Sequence, residues 1–114
     1  MTIGVEVNLP WPPSVNRYYR TFRGRIIISK EGRDYRKQVQ APNKTEANFA
    51  GPVIVEIEAF RPDNRRRDLD NVLKAALDAL THMLIWEDDS QIVDLRIWWA
   101  AEKGGFLNVK VRAV

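Results

Sequence analysis

The sequence contains no cysteine, little histidine and no long hydrophobic run. Its 114 residues include a single histidine, His82. The missing thiols exclude disulfide scaffolds, thiolate zinc sites and cysteine nucleophiles. The apolar runs fall far short of the roughly 18 residues that a transmembrane helix needs, so no membrane span is expected. Residues 1–8 alternate without a basic stretch, which is not the pattern of a signal peptide. We therefore expect an intracellular protein.

Charge is unevenly distributed along the chain. The formal net charge is +3, but basic residues concentrate at 17–37 and 61–67. Acidic residues concentrate at 68–70 and 87–89. Basic patches that enclose a few carboxylates suit a polyanionic partner together with cations. A solvated surface of mixed charge explains the composition equally well.

Alternating apolar and polar residues predict four one-sided strands. They lie at residues 2–9, 53–60, 92–99 and 106–112. Residues 25–28 fit a further, shorter strand. The glycine pair Gly104-Gly105 predicts a turn, and we expect it to join the last two long strands as an antiparallel hairpin.

Two segments have the pattern of amphipathic helices. Ser29 is placed to cap a helix over residues 30–40 that ends before Pro42. Asp70 or Asn71 caps a second helix that runs to about residue 82 or 83. Its predicted apolar stripe consists of Leu73, Ala76, Leu77, Leu80 and Leu84. Residues 43–52 between the helices are expected to form a polar connector.

These elements predict one α+β domain over residues 1–114. Strands with one apolar face must bury that face against another layer. The expected architecture has two layers, with about four strands in a mixed or antiparallel sheet and two main helices.

The segment around Asp68 and Asp70 has the strongest chemical signal. In an extended segment, residues two apart point the same way, which sends Leu69 to the core and both carboxylates to one side. Mg²⁺ takes one or two carboxylates and keeps waters and phosphate oxygens. Lys74 shares a helix face with Asp70 and brings an ammonium beside such an ion. In the alternative interpretation, Asp70 only caps the helix, Asp68 pairs with an arginine, and Lys74 forms a salt bridge to Asp70 or Asp78.

Two further segments carry candidate functional residues. The acidic group Glu87, Asp88 and Asp89 follows the second helix, and its alternative interpretation is a solvated turn. Trp86 beside it is expected to anchor the core. The basic and aromatic residues of the loop 9–20 suit phosphate contacts and stacking on unpaired bases. The alternative for that loop is that a ring packs inward while the arginines stay solvated.

At these residues the sequence resembles the RusA family of Holliday-junction resolvases of phages and prophages. In the first half the matching segments are Leu-Pro-Trp-Pro-Pro-Ser-Val-Asn-Arg-Tyr-Tyr-Arg at 9–20, Arg-Gly-Arg at 23–25 and Ser-Lys-Glu-Gly at 29–32. In the second half they are Arg-Arg-Arg-Asp-Leu-Asp-Asn-Val-Leu-Lys-Ala-Ala at 65–76, Asp-Ala-Leu-Thr at 78–81, Trp-Glu-Asp-Asp-Ser-Gln-Ile-Val-Asp at 86–94 and Lys-Gly-Gly at 103–105. Their shared order over nearly the whole chain makes the resemblance specific.

The resemblance implies a homodimeric, Mg²⁺-dependent DNA endonuclease, with Mn²⁺ as a substitute ion, in the cytoplasm of a bacterium or a phage host. It would cut four-way junctions by symmetrically related nicks. The family's catalytic, metal-binding carboxylates fall on Asp68, Asp70 and Asp89, and its lysine falls on Lys74; Asp88 ranks below Asp89. The side chains expected to contact DNA are Asn16, Arg17, Arg20, Arg23, Arg25, Arg65, Arg66 and Arg67.

Two other functions stay open at this point. A non-catalytic nucleic-acid-binding module would keep the basic loops but would have no need of three carboxylates, which weaken phosphate binding unless cations neutralise them. A metal-dependent nuclease without junction preference would keep the carboxylates, and a monomer would suffice. Magnesium-dependent nicking separates the first from the family function. Competition between junction and duplex, together with a mass measurement, separates the second.

Overall fold

The chain folds into a four-stranded sheet with helices on one face and a separate two-stranded hairpin. A computed structural model describes residues 4–41 and 47–114. The elements in chain order are β1 (Gly4–Pro10), α1 (Val15–Tyr18), β2 (Tyr19–Phe22), β3 (Arg25–Ile28), α2 (Lys30–Gln40), β4 (Val53–Phe60), α3 (Leu69–His82), β5 (Ile92–Trp99) and β6 (Phe106–Ala113). The main sheet has the order β1-β6-β4-β5. Only β4 and β5 pair in parallel, so the sheet is mixed and the predicted α+β class is confirmed.

The core lies between β4 and α3. Alternate residues of β4 point inward and are fully buried, as the sequence pattern predicts. α3 connects the parallel strands β4 and β5, which need such a crossover because a tight turn cannot join them. The buried residues of α3 are Val72, Ala75, Ala76, Ala79 and Leu80. No helix in the described ranges is long and apolar enough to cross a membrane.

The predicted apolar stripe and cap of α3 are partly wrong. The buried face is rotated toward the alanines, and Leu73 and Leu77 are only half-buried. Leu84 is 60% exposed and lies beyond the helix in a left-handed conformation, with φ of 63°. The N-cap is Asp68 rather than Asp70 or Asn71. Ala76 and Leu80 of the predicted stripe are buried as expected. Small alanine side chains bring the helix close to the sheet, while Leu73 and Leu77 pack at the margin of the contact.

The predicted hairpin of β5 and β6 is also wrong. β6 lies between β1 and β4, and β5 pairs only with the other side of β4. The connection crosses the end of β4, where the amides of Ala100 and Gly105 donate to the carbonyls of Ala59 and Phe60 at 2.9 and 2.7 Å. The turn at the glycine pair exists, since Gly105 has φ of 80°. It therefore joins two strands that are separated by a third.

The first helix of the prediction agrees with α2, whereas the segment before it is more ordered than expected. The Ser29 hydroxyl caps α2 by accepting from the Gly32 amide at 3.0 Å, and the helix ends at Gln40. Residues 15–22 form α1 and β2, which the sequence pattern did not reveal, and β2 pairs with β3. Residues 2–3 of the first predicted strand, Pro42, and residues 43–46 of the predicted connector lie outside the described residues.

The described end of the connector is attached to the core. Phe49 is buried and bridges to Trp86, which is fully buried and donates from its indole nitrogen to Thr81 Oγ1 at 2.7 Å. Gln91 Nε2 donates to the carbonyls of Phe49 and Gly51 at 2.6 and 2.9 Å. The predicted core role of Trp86 is confirmed, and the acidic turn after it is held in place from both sides.

Gly32 allows α2 to pack tightly against the base of the β2–β3 hairpin. A Cβ at this position would lie 2.5 Å from the Tyr18 carbonyl oxygen and 2.7 Å from Ile28 Cγ2. Overpacking costs about 1–3 kcal/mol, whereas alanine favours a helix over glycine by roughly 1 kcal/mol. We expect Gly32→Ala to lower the free energy of unfolding by about 1 kcal/mol or more, measured by urea denaturation.

The control for this substitution is Gly51→Ala. A Cβ at Gly51 would meet no atom within 4 Å, so that variant should be as stable as the parent or slightly more stable. Equal stability of the two variants would show that α2 and the hairpin can move apart freely.

Candidate functional site

Three clefts lie along the exposed side of α3. The acidic cleft, about 270 Å³, is lined by Tyr19, Lys74, Asp78, Thr81, Glu87, Asp88 and Asp89. The hairpin cleft, about 310 Å³, is lined by Val15, Asn16, Tyr19, Arg20, Thr21, Ile26 and Lys74. The proline cleft, about 500 Å³, is lined by Trp11, Pro12, Pro13, Ser14, Arg66, Arg67, Asp68, Asn71 and Val72. The first two share Tyr19 and Lys74, so these side chains stand where the two clefts meet.

Lys74 is exposed, and no carboxylate in the described part of the chain forms an ion pair with it. Its ammonium lies 5.2 Å from the centroid of the Tyr19 ring, a cation–π distance. Within the described ranges it forms no ion pair, and Asp78, one of its two predicted partners, is bound to Arg36 instead. The salt-bridge interpretation of Lys74 is therefore not supported. A free ammonium between two clefts is available to an anionic ligand.

Asp68 and Asp70 both lie at the start of α3 and are both exposed. Asp68 is the N-cap, yet its side chain makes no capping hydrogen bond. Asp70 is inside the first turn, so the extended-segment argument does not set its direction; it is one turn before Lys74, on the same side of the helix. Neither carboxylate has a hydrogen bond or an ion pair with any residue that the structure describes.

Asp88 and Asp89 differ in their local roles. The Asp88 carboxylate accepts from the Ser90 amide at 2.9 Å and forms a capping box with Gln91. This backbone hydrogen bond holds the pKa of Asp88 below its ordinary value. Asp89 makes no such cap and faces the acidic cleft with Lys74. Asp88 lines the same cleft, so the ranking of Asp89 above Asp88 as a ligand stays a prediction.

The three predicted metal ligands do not form a preformed cage. Within residues 4–41 and 47–114, no three histidine, cysteine, aspartate or glutamate side chains lie close enough to hold a metal ion. The donor chemistry of Asp68 and Asp70 nevertheless fits Mg²⁺, since an ion of this kind needs only one or two carboxylates and completes its shell with water and phosphate oxygens. The role of Asp89 as a third ligand stays a prediction.

A polar network that the sequence did not reveal joins the three helices. Arg36 binds both carboxylate oxygens of Asp78, with Nε and Nη2 at 3.0 and 3.1 Å, and the Tyr18 hydroxyl donates to the same carboxylate. Burial, with the hydrogen bond to Asp78, raises the pKa of Tyr18. The network fixes α1 against α2 and α3, and thereby fixes Tyr19 beside Lys74. The sequence spacing placed Asp78 near Lys74, but it did not reveal that Asp78 pairs with Arg36.

Tyr19 occupies the boundary between the acidic and hairpin clefts. Burial raises the pKa of its hydroxyl, and the negative charges of Asp78 and Asp89 raise it further. The hydroxyl therefore stays protonated at neutral pH and can donate a hydrogen bond into either cleft. Tyr18, directly before it, is fully buried. One ring of the loop 9–20 therefore packs inward, as in the alternative interpretation of that loop.

The three consecutive arginines have different surroundings. Asp63 pairs with Arg67 at 2.7 Å and more loosely with Arg65 at 3.9 Å. Arg67 also lies over the Trp11 ring, with 5.5 Å to the centroid, so its guanidinium is held at the edge of the proline cleft. Arg66 is exposed in the same cleft and has no partner among the described residues.

The predicted DNA-contacting residues of the first half lie mainly on the hairpin. Arg17 pairs with Glu31 at 3.1 Å on an exposed surface, where such a pair contributes little to stability. The guanidiniums of Arg20 and Arg23 lie over the Phe22 ring. The Arg25 side chain has no hydrogen bond or ion pair with a described residue. Asn16 lines the hairpin cleft. The structure brings Asn16 and Arg20 to Lys74, whereas Arg65 to Arg67 precede the amino-terminal end of α3, and Arg66 and Arg67 line the separate proline cleft.

Most of the chain aligns with proteins named as endodeoxyribonucleases. Residues 10–112 match the family described as Endodeoxyribonuclease RusA. The chain is 50% identical over 110 residues to the crossover junction endodeoxyribonuclease RusA of Shigella sonnei, and the match covers 93% of this chain and 92% of the relative. The proteins of the same name from Escherichia coli K12 and Enterobacteria phage 82 are each 49% identical over the same shares. This chain belongs to the RusA family of endodeoxyribonucleases.

Proposed function

We propose that this chain resolves four-way DNA junctions by metal-dependent hydrolysis of phosphodiesters, with one cut from each subunit of a dimer. The observation that carries the proposal is the position of Lys74, which has no ion pair among the described residues. It lies where two clefts meet, one turn after Asp70 and in a cleft that Asp89 also lines. The relatives named above are crossover junction endodeoxyribonucleases, which supports a junction as the substrate.

In this proposal each side chain has a separate task. Asp68 and Asp70 would hold Mg²⁺, with Asp89 as a third ligand. The ion, when bound, activates water and neutralises phosphate charge. Lys74 binds a non-bridging oxygen of the scissile phosphate and stabilises the charge that develops on it. The Tyr19 ring keeps the lysine side chain at the boundary of the two clefts.

The arginines hold the DNA backbone on either side of that phosphate. Arg20 and Arg25 bind one arm from the hairpin, and Arg66 and Arg67 bind another from the proline cleft. Asp63 orients the Arg67 guanidinium, so that less side-chain entropy is lost when a phosphate binds. Such contacts supply affinity and salt dependence but do not identify bases.

A homodimer completes the proposal because a four-way junction has two equivalent strands to cut. A two-fold dimer presents one site to each of them. Two aromatic rings of the sheet are candidates for the contact: Phe106 stacks on Phe60 at 4.3 Å between centroids, whereas Trp98 is 40% exposed. Trp98 is therefore the better candidate. Light scattering with micromolar protein should give twice the mass of the 13.2 kDa chain.

Cleavage of a labelled synthetic four-way junction tests the proposed function. The protein should nick two opposite strands at symmetrical positions when Mg²⁺ or Mn²⁺ is present and none when the ion is chelated. A linear duplex that contains the same sequence is the matched substrate, and it should be cut far more slowly.

Two results would contradict the proposal. Tight binding to the junction without any cleavage in either ion would favour the non-catalytic module. Equal cleavage of junction and duplex by a monomer would favour a nuclease without junction preference.

Arg66→Ala should weaken binding to every DNA shape and reduce the salt dependence. Each lost phosphate contact lowers the magnitude of the slope of log K against log salt by about 0.9 on duplex arms. The measurement is junction affinity at several salt concentrations without divalent ions. Arg112→Ala on β6, on the sheet face opposite the helices, is the control and should leave the slope unchanged. An unchanged slope for Arg66→Ala would mean that this arginine does not touch phosphate.

A further inference from the structure

The β2–β3 hairpin has a fixed base and an exposed tip. The Ser29 amide and hydroxyl both donate to the Tyr18 carbonyl at 2.9 Å, which ties the strand ends together. At the tip, Arg23 and Gly24 have φ of 50° and 74°. Positive φ at both central residues is the pattern of a tight two-residue hairpin turn. The tip is therefore a defined structure that extends from the body, and it is not a loose loop.

This tip carries an exposed aromatic ring surrounded by cations. Phe22 is 48% exposed, and the guanidiniums of Arg20 and Arg23 lie 5.3 and 5.2 Å from its ring centroid. Arg25 is paired with Phe22 across the strands. None of the three arginines forms an ion pair with a residue in the described ranges. Single exposed apolar residues are common. A ring at a hairpin tip among three arginines without an ion pair in the described ranges, however, is suited to an anionic, aromatic partner.

The position of the hairpin relates this ring to the candidate active site. Tyr19, at the start of β2, contacts Lys74, and Thr21 and Ile26 line the hairpin cleft beside it. Phe22 is three residues beyond Tyr19, which corresponds to about 10 Å along a strand. Successive nucleotides of one DNA strand are about 3.4 Å apart. Because side chains alternate along a strand, the Phe22 ring is on the face of the hairpin opposite Tyr19, at about three nucleotide spacings along the strand from Lys74.

We propose that Phe22 stacks on a nucleobase that is exposed at the branch point of the junction. The inference rests on the proposed function, because it takes the phosphate at Lys74 as its reference point. Aromatic side chains and arginine guanidiniums both stack on bases without regard to sequence. An intact duplex presents its base faces only at its ends, whereas the arms of a junction end at the branch point. The phosphates around that point attract Arg20, Arg23 and Arg25, which bring the ring to the base.

A fluorescent base analogue at the branch point tests this inference. A set of four-way junctions is prepared, each with 2-aminopurine at a different position one to six nucleotides from the branch point. Binding is measured without divalent ions so that no strand is cut. The wild-type protein should change the fluorescence most within about three nucleotides of the cut site. Phe22→Ala should lose this change and should bind the junction about tenfold more weakly, which is the lower part of the range for one base stacked on an aromatic ring.

The controls separate stacking from general loss of an apolar side chain. Val93→Ala removes an apolar side chain that is 63% exposed on β5 and should behave as wild type. Phe22→Trp should restore the fluorescence change. Affinity for a linear duplex should be the same in all variants.

The outcomes also distinguish this inference from the proposed function. If Phe22→Ala keeps both the junction preference and the fluorescence change of the wild-type protein, the inference alone is overturned. Equal affinity of the wild-type protein for junction and duplex would overturn both.

Discussion

Replacing Asp70 by asparagine should abolish strand cleavage and leave junction binding intact. Asp70 is exposed in the first turn of α3 and has no partner among the described residues, so the substitution breaks no interaction within the protein that the structure describes. The amide keeps the shape of the carboxylate but loses the charge that recruits the cation. Loss of several kcal/mol of charge stabilisation corresponds to about a thousandfold or more in rate. The measurement is single-turnover cleavage of the synthetic junction, with a gel-shift assay for binding.

The matched control for Asp70→Asn is Asp94→Asn on β5, which makes the same chemical change away from the candidate site. It should cleave at the wild-type rate. Asp68→Asn should resemble Asp70→Asn in cleavage. Because the Asp68 side chain makes no capping hydrogen bond, it should also retain the thermal stability of the parent. Nicking by Asp70→Asn at the wild-type rate in Mg²⁺ would remove this residue from the metal site.

The strands were predictable because alternation directly reports a half-buried sheet. In β4, each of the four inward residues identified from the pattern is fully buried. The pairing of the strands was not predictable from the same pattern, since alternation does not specify a neighbour. β5 and β6 are adjacent in sequence, but β4 separates them because β5 joins β4 through the α3 crossover. Strand order is decided by long-range packing that a local pattern does not contain.

The limits of helix prediction were set by side-chain size. The predicted buried face of α3 consisted mainly of leucines, whereas three of the five residues buried on this helix are alanines. Leu73 and Leu77 consequently lie at the margin of the contact. The short α1 and β2 had no periodicity long enough to detect, and their order comes from tertiary contacts such as those of Tyr18 and Ser29.

The candidate site was predictable as a set of residues but not as an arrangement. Spacing alone brought Asp70 and Lys74 to one helix face, and the structure adds that Lys74 has no carboxylate partner in the described ranges. The reason is the Arg36–Asp78 pair, which involves residues 42 positions apart and removes Asp78 from competition for the ammonium. Asp63 acts on Arg67 directly, since it pairs with the guanidinium and holds it at the proline cleft. In both cases an acid that is not itself a candidate determines where a candidate cation is available.

Lys74→Met should slow cleavage by about a hundred- to a thousandfold, the cost of removing one preorganised group that stabilises transition-state charge. Methionine keeps an unbranched apolar side chain against Tyr19, so the fold and the junction affinity should change little. Lys74 acts on the phosphate in this proposal and does not hold the ion. The Mg²⁺ concentration for half-maximal cleavage should therefore stay at the wild-type value. For any residual activity of Asp70→Asn, by contrast, this concentration should change.

Two further variants make the lysine prediction specific. Lys110→Met removes an exposed ammonium from β6 and should leave the rate unchanged. Lys74→Arg retains the charge but places a planar guanidinium where the ammonium lies 5.2 Å from the Tyr19 ring centroid, so it should recover part of the lost rate. Wild-type cleavage by Lys74→Met would assign the ammonium to the surface rather than to the reaction. A shift in its Mg²⁺ dependence would mean that Lys74 acts through the metal site, because only a group coupled to the ion changes the concentration at which the ion binds.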